Sequence, residues 1–466
     1  DLNKMLKIFF KKTSFKLIPI KDNLVDKIWA KTNTISPKKY YVLPKKEVGQ
    51  SNKSKIKKLS KTLKKKGADY HFVTSSENIA WLLNIRGWDS KFTPIPNAYL
   101  IIGSNKHIHL FCDLRKINNQ FKRALKGIQI SSIKEIDIFL NKFKHKKILL
   151  DSTTCSVYFE NILKLNNKLI GCSDPIYLMK SVKSKAEIKN MIKCHIYDGV
   201  ALTKFLFWVK RNFKSTNINE ISAEEKLLKF RKKNKDFKFP SFPTISGAGP
   251  NGAIIHYKAS KKSNKKLEKG DIYLVDSGGQ YNYGTTDVTR TISLDNNSKR
   301  IKNIFTRVLK GHIAVAEFKL KNNTTGSAID VVARKPLREI NLDYAHGTGH
   351  GVGYFLNVHE GPHAISKKNK INFQEGVVVS NEPGYYETNK FGIRIENLVR
   401  VKKTRSGYLF DNLTLAPIDK SLINKEMLKQ NEIRWLNDYH LVVYKNLKKY
   451  MNKSELNYLK ESCSNI

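Results

Sequence analysis

LVDSGGQYNYGTTDVTRT, residues 274–291, decides how this chain is read. Asp276 sits in the apolar run IYLVDSG, Asp287 opens DVTRTISL, and the GGQYNYGTT between them holds three glycines and reads as a turn. Folding that turn back lays two strands side by side and brings both carboxylates to one spot. Like charges so placed repel strongly unless they are protonated or bridged by a cation. By itself a pair of aspartates at this spacing is as readily two solvated loop residues, because the motif is weak.

Three further segments carry the same theme. In GIRIEN (392–397) Arg394 and Glu396 share one face of an alternating strand while Ile393 and Ile395 point to the other. A charged pair on such a strand is costly without partners. In NEPGYY (381–386) Glu382 ends an apolar run, and Pro383-Gly384 fixes a sharp turn after it. A structural salt bridge explains either glutamate separately; explaining both that way, beside the aspartate pair, is strained. HGTGHGVGYFLNVHEGP (346–362) sets His346, His350 and His359 within fourteen residues, among glycines that allow close backbone approach. A lone histidine is more often packed or solvated than a ligand; three together point to a site. His256, at the end of GPNGAIIHY, is a weaker candidate, and GAGPNG lacks the Gly-Lys-Ser/Thr of a phosphate loop.

Asp276, Asp287, His350, Glu382 and Glu396 together make four carboxylates and one imidazole, an oxygen-rich set suited to two divalent ions. Two ions a few Å apart share a water, lower its pKa and clamp a tetrahedral oxyanion. That is hydrolytic chemistry.

At 466 residues the chain predicts two or three domains, and 40% apolar content is enough for sizeable cores. The net charge of +46 invites a polyanion-binding reading. The excess is spread as lysines rather than gathered in one block, so solvated faces are the preferred explanation, with neither specific nucleic acid nor membrane expected as a partner. Five scattered cysteines without a CxxC pair argue for reduced thiols in the cytoplasm and against a disulfide scaffold or cysteine zinc site. No apolar run is long enough to cross a membrane as a helix. DLNKMLKIFFKK is too short in its apolar part for a secretory signal, and its first residue, Asp1, predicts an incomplete N-terminus.

Residues 54–66 read as a helix with Ile56, Leu59 and Leu63 on one face and Gly67 at its end. Strands are predicted at 70–73, 98–102, 107–112 and 147–151, the middle two as a hairpin. Ser184 and Glu187 form a capping box ahead of a long helix, and Ser222 with Glu225 is expected to cap a second. The metal-type residues all follow Lys238, where Gly-rich turns and β-rich runs begin. The tail 424–450 reads as a helix whose apolar face serves as core or as a subunit contact, with core preferred.

Taken together these segments resemble the pita-bread metallopeptidases, in particular the aminopeptidase P (Xaa-Pro aminopeptidase) group of the eukaryotic-cytosolic type. FPTISGAGPNGAIIHY (242–257), DSGGQYNYGTTDVTRT (276–291), the His350 segment and NEPGYYETNKFGIRIEN (381–397) carry the resemblance. LLNIRGWDSKFTPIPNAYLII (82–102) is similar to that family's creatinase-like domain, and RWLNDYH (434–440) to its C-terminal segment. The resemblance implies an α/β (α+β) chain: a remnant linker over 1–37, a creatinase-like α/β domain over 38–178, a pita-bread catalytic domain over 179–406 and a C-terminal aminopeptidase P segment over 407–466. It also implies that Asp287 and Glu396 bridge two divalent ions, with manganese favoured. Asp276 would complete one ion, and His350 with Glu382 the other. A hydroxide held between the ions would attack the scissile carbonyl, with Glu382 handling the proton. His256, His346 and His359 match substrate-side histidines, and Tyr386 and Arg394 match positions that order the site. Substrates would be peptides with proline second, and the enzyme a homodimer.

Relatives of this type carry a further upstream domain, of which FKLIPIKDNLVDKIW (15–29) is read as a stub. Two alternatives stay open: a prolidase restricted to Xaa-Pro dipeptides, and a non-catalytic scaffold binding nucleic acid or protein through its basic surface.

Overall fold

The computed structural model describes all residues but 1, 19, 21, 22, 29–35, 296 and 406, together with the side chains of 2–4 and 26. The expected stub at 15–29 therefore falls partly outside the described residues. The chain divides into two compact units, Asp1–Tyr177 and Leu178–Ile466.

The first unit is built on a six-stranded sheet. Helix α1 (Asn52–Lys65) begins where the Ser51 side chain accepts the Ser54 N–H, and it buries Ile56, Leu59 and Leu63. Its lysines otherwise face outward, except Lys55, whose buried ammonium donates to the Trp81 carbonyl at 2.9 Å. The chain leaves the helix through Gly67, whose φ of +64° suits a residue without a Cβ. Strands β1 (Tyr70–Val73), β2 (Ala98–Gly103), β3 (Ile108–Cys112), β4 (Gln129–Ser132), β5 (Lys147–Leu150) and β6 (Lys168–Gly171) line up in the order β4-β3-β2-β1-β5-β6. β2 pairs antiparallel with both β1 and β3, and the other pairs are parallel. Phe72, Phe111, Ile148, Leu150 and Phe159 form the core on one side. The four strands expected from sequence are present with ends shifted by a residue or so; β4 and β6, whose side chains are largely exposed or half-buried, lack the apolar pattern that announces a strand.

The second unit opens with α2 (Lys185–Asn212), which starts at the expected Ser184–Glu187 capping box. The next helix, α3 (Glu220–Lys232), corrects an expectation. Its cap is Asn219, which accepts the Ser222 N–H, while Ser222 Oγ accepts the Asn219 N–H. Ser222 is thus the third residue of the helix and not its cap. Asparagine is at least as good a cap as serine, and starting there buries Glu220, Ala223 and Leu227.

Strands β7 (Ile245–Ala248), β8 (Ile272–Ser277) and β9 (Val288–Ser293) form an antiparallel sheet in that order, with Asp276 opposite Thr289. The glycine-rich stretch between β8 and β9 is a small hairpin of its own, Gly279–Tyr281 against Gly284–Thr285. Helices α4 (Lys299–Ala316) and α5 (Gly326–Arg338) follow. Then come β10 (Val378–Asn381), β11 (Gly384–Glu387), β12 (Phe391–Arg394), β13 (Asn397–Thr404) and β14 (Gly407–Asn412). β11 and β12 make a hairpin, and β13 lies between β10 and β14. Helix α6 (Gln430–Leu447) buries Leu436, Tyr439, Val443 and Leu447 in one cluster with Ile393 and Ile395, so this face of the tail is core.

One buried pair dominates the electrostatics of the first unit. His71 Nε2 lies 3.0 Å from Asp174 Oδ1, and the other ring nitrogen donates to the Leu149 carbonyl at 3.1 Å. Burial pulls the His71 pKa down, but the Asp174 charge and hydrogen bond outweigh it, and the net shift is upward from 6.5. For Asp174 burial pushes up, the His71 charge and hydrogen bond pull down more, and the net shift is downward from 3.8. The His71 contribution is therefore complete below pH 6.5 and lost as pH rises through the higher folded value. That of Asp174 is complete above pH 3.8 and lost as pH falls through the lower folded value. Urea titrations across pH should show the first unit losing stability on the alkaline side of 6.5, and His71→Gln should flatten that limb; an unchanged profile in the variant would show that the pair does not set it.

Candidate metal centre and active-site cleft

Five donors come to one cavity from strands, strand ends and strand junctions. Asp276 stands in β8, and Asp287 immediately precedes β9, two residues from the Thr289 that pairs with Asp276. Glu396 joins β12 to β13, and Glu382 joins β10 to β11. The alternation in Ile393-Arg394-Ile395-Glu396 works as expected: both isoleucines are buried in the core, while Arg394 and Glu396 reach the cavity.

His350 arrives on a two-residue strand, Gly349–His350, paired with Ala364–Ile365. The glycines beside it are there for close approach. A Cβ on Gly349 would lie 2.0 Å from the Ser380 carbonyl oxygen, and one on Gly351 2.1 Å from that of Glu360. Only glycine allows the loop to press against both neighbours, which explains the glycine density of HGTGHGVG.

Ligand atoms of Asp287, His350 and Glu396 all lie within 4.8 Å of one another. His350 Nε2 is 3.5 Å from Asp287 Oδ2 and 3.4 Å from Glu382 Oε1. Its Nδ1 donates to the Gly351 carbonyl at 3.0 Å, so Nε2 is the ring nitrogen turned toward the carboxylates. Asp276 completes the group from the side of Arg394, whose Nη2 donates to Asp276 Oδ2 at 2.7 Å. Arg394 Nε donates to Thr289 Oγ1 at 3.0 Å, and Thr289 Oγ1 in turn donates to Glu396 Oε2 at 2.8 Å. Ser380 Oγ accepts the His350 N–H at 2.9 Å and donates to Glu382 Oε1 at 3.0 Å.

Several observations test whether this donor set fits cations. Asp276 Oδ1 and Glu396 Oε1 are buried and have no hydrogen-bond partner. Burial, with Glu382 adding to it and Arg394 opposing, raises the Asp276 pKa. Burial and then the charges of its neighbours push Asp287 and Glu396 well above the carboxylate range. Buried carboxylates that repel one another and keep oxygens unsatisfied are what a divalent pair neutralises. The residues fit.

Of the remaining candidates His256, His346, His359 and Arg394 line the same cavity of about 440 Å³, with Phe242, Pro243, Ile245, Ile255 and Val358 as an apolar wall, and Tyr386 touches His346 and Arg394. The His359 ring packs edge-on against His350, centroids 4.0 Å apart. Burial, helped by His350, takes its pKa down to about 4. Both nitrogens of His346 are engaged. Nδ1 meets the Gly347 carbonyl at 2.7 Å and Nε2 meets Tyr386 Oη at 2.9 Å. Tyr386 Oη accepts from Arg394 Nη1, so its own proton goes to His346. Arg394, Tyr386 and His346 thus form an ordered chain of hydrogen bonds along one side of the cavity.

Sequence reasoning does not single out Thr289, Ser380 or Glu360. The first two carry a visible signal: Thr289 lies in the same DVTRT as Asp287, and Ser380 is two residues, one strand period, before Glu382. Glu360 follows His359 and is buried with two lysines, Lys180 Nζ at 3.2 Å and Lys183 Nζ at 2.6 Å, all three side chains 1% exposed. Its N–H donates to the Gly351 carbonyl at 2.7 Å, tying the His359 and His350 loops together. Nothing local marks those two lysines among so many.

By fold and donor set the second unit is a metallopeptidase. Residues 189–403 match the model of Metallopeptidase family M24, residues 32–187 the Creatinase/Prolidase N-terminal domain, and residues 407–466 the C-terminal region of that peptidase family. The chain is 38% identical over 471 residues to a probable Xaa-Pro aminopeptidase P of Laccaria bicolor, covering 96% of this chain and 73% of the relative. It is 41% identical over 440 residues to Xaa-Pro aminopeptidase 1 of Dictyostelium discoideum, covering 90% and 70%. A crystal structure of X-prolyl aminopeptidase from Caenorhabditis elegans, described as a cytosolic enzyme with a di-nuclear active site, superposes with TM-score 0.94 at 31% identity, over 100% of this chain and 79% of that one. The chain belongs to the aminopeptidase P group of this metallopeptidase family, with its creatinase-like, pita-bread and C-terminal parts. No helix among the described residues is long and apolar enough to cross a membrane.

Glu360→Gln removes the carboxylate that lies between Lys180 and Lys183 and leaves buried ammonium groups poorly compensated. The unfolding free energy measured in urea should fall by about 3–5 kcal/mol. A loss under about 1 kcal/mol would mean that solvent or other groups replace the carboxylate.

Proposed function

We propose that this chain is a di-metal aminopeptidase that removes the N-terminal residue from peptides whose second residue is proline. The observation that carries the reading is the convergence of four carboxylates and one imidazole on a single cavity with an apolar wall. Manganese is the preferred ion, because oxygen donors with one imidazole and no thiolate suit a hard dication. We further propose a homodimer working in the cytoplasm, with residues 38–178 as the creatinase-like domain and 179–406 as the catalytic one.

In this reading Asp287 and Glu396 would be shared by the two ions, Asp276 would help to hold one, and His350 with Glu382 would help to hold the other. When bound, such a pair supplies Lewis acidity and a water acidic enough to react at neutral pH. The protein's own groups do the rest. Arg394 holds Asp276 in place and, through Thr289, Glu396. Glu382, with one oxygen fixed by Ser380, handles the proton released during attack. His359 has a pKa lowered to about 4 by burial and His350, so its ring is neutral near pH 7 and can donate one N–H to the developing oxyanion. His256 faces the substrate from the opposite loop, and His346 acts by fixing Tyr386. Phe242, Pro243, Ile245, Ile255 and Val358 exclude water and offer the apolar contact that a pyrrolidine ring prefers over a solvated amide.

Binding is tested apart from catalysis. Mn²⁺ at a hundred times its Kd should stabilise the fold by about 2.7 kcal/mol, read as a raised Tm, and Asp287→Ala should abolish most of the increase. An equal rise in both proteins would place the ion elsewhere.

Catalysis is tested with a Xaa-Pro-Pro peptide beside a Xaa-Ala-Pro control and a Xaa-Pro dipeptide. The wild type with Mn²⁺ should cleave the first and spare the control, and Asp287→Ala should lower kcat/KM by more than about a thousandfold. Cleavage of the dipeptide alone would establish the prolidase reading instead. Salt-dependent nucleic-acid binding without any cleavage would favour the scaffold.

A further inference from the structure

We propose that Glu220, the first residue of α3, is the positioning residue for His256. This rests on the aminopeptidase reading of the cavity and adds to it a residue that lies outside the donor set.

The Glu220 side chain is fully buried, at 0% exposure. No lysine, arginine or histidine among the described residues forms an ion pair with it. Its charge is held by dipoles instead. Oε1 accepts the Ala248 N–H at 2.8 Å and the Asn251 side-chain amide at 3.0 Å. Oε2 accepts the Tyr257 hydroxyl at 2.8 Å and the Lys265 N–H at 2.9 Å. The N-terminal end of α3 adds a favourable helix dipole. All four donors belong to one segment, 248–265, which runs from the last residue of β7 through a short 3-10 turn at Gly249–Ala253 into a stretch without helix or strand. The carboxylate is therefore the template around which this loop is wrapped, and charge-assisted bonds of this kind are the strong ones.

His256 lies within that loop, next to Tyr257. Its side chain is exposed to the cavity and has no hydrogen-bond partner among the described residues. A side chain with no bonds of its own sits where its backbone puts it. The backbone on one side of His256 is pinned through Tyr257 to Glu220. On the other it is pinned at Gly252, whose carbonyl oxygen would lie 1.8 Å from a Cβ on Gly392, beside Arg394 in β12. Loss of the Glu220 contact frees one anchor, and His256 moves with the loop while the metal-donor strands stay in place.

The test uses the full chain with Mn²⁺ and the Xaa-Pro-Pro peptide. Glu220→Gln keeps the size but puts an amide N–H where a backbone N–H now donates. It should lower kcat/KM by about 10–100-fold while the Mn²⁺-induced rise in Tm is retained. In a His256→Ala background the same substitution should cost no more than about twofold, because two changes acting through one path are not additive. Tyr257→Phe, which deletes one hydroxyl, should show a smaller loss with the same dependence on His256. It keeps the question decidable if Glu220→Gln folds poorly. Limited trypsin digestion supplies a readout that needs no activity: both variants should be cut faster than wild type at Lys258, Lys261 and Lys262, within the loop. Equal losses in the two His256 backgrounds, or unchanged tryptic rates, overturn the proposal. An inactive wild type with faster cutting in the variants overturns the aminopeptidase reading and leaves the anchoring intact.

Discussion

Repulsion among Asp276, Asp287, Glu382 and Glu396 is the constraint around which the second unit is organised. Buried carboxylates this close answer their repulsion by holding protons, by moving apart or by taking up cations. The raised pKa values of Asp287 and Glu396 are the first response, and moving apart is what the structure prevents. Each is held at a strand end or strand junction, with Arg394 and Thr289 linking Asp276 to Glu396 and Ser380 linking His350 to Glu382. Preorganisation of this kind raises affinity, because little of the binding energy goes into ordering the donors.

The groups around the cluster follow from the need to keep it rigid. Arg290 shows how far this reaches from the cavity. It is buried, lies in β9 between Thr289 and Thr291, and donates to the carbonyls of Thr289, Glu396, Ala416 and Pro417 and to Tyr439 on α6. One guanidinium thus ties the strand after Asp287 to the residue Glu396 and both to the tail helix. Burial lowers its pKa against the opposing pull of Tyr439 and Glu396, yet its nitrogens all find fixed acceptors, the Asn397 side chain among them. Glu360 with its lysines does the same for the loops of His350 and His359.

Much of this arrangement is legible in the order of residues alone. The donor residues stand in short strands whose alternation states which side chains share a face, as in Ile393-Arg394-Ile395-Glu396. The glycines around His350 announce a close approach. A helix start is readable at Ser184 but not at Ser222, where Asn219 offers an equally good cap three residues earlier. The edge strands β4 and β6 escape notice because half-exposed edges carry no apolar run. The tail helix shows its apolar face, and burial against Ile393 and Ile395 decides what that face is for.

Local sequence determined the chemistry: which donors exist, on which faces, and beside which turns, because side-chain direction along a strand repeats every two residues. Tertiary structure alone decided the partners. Lys183 and Glu360 are 177 positions apart, and Glu220 meets Tyr257 across 37. With 86 lysines and arginines and 40 acidic residues, no pattern says which will be buried together. Pairing over such distances is set by how sheets and helices stack, and the cost of leaving a buried charge uncompensated then selects among the arrangements that packing allows.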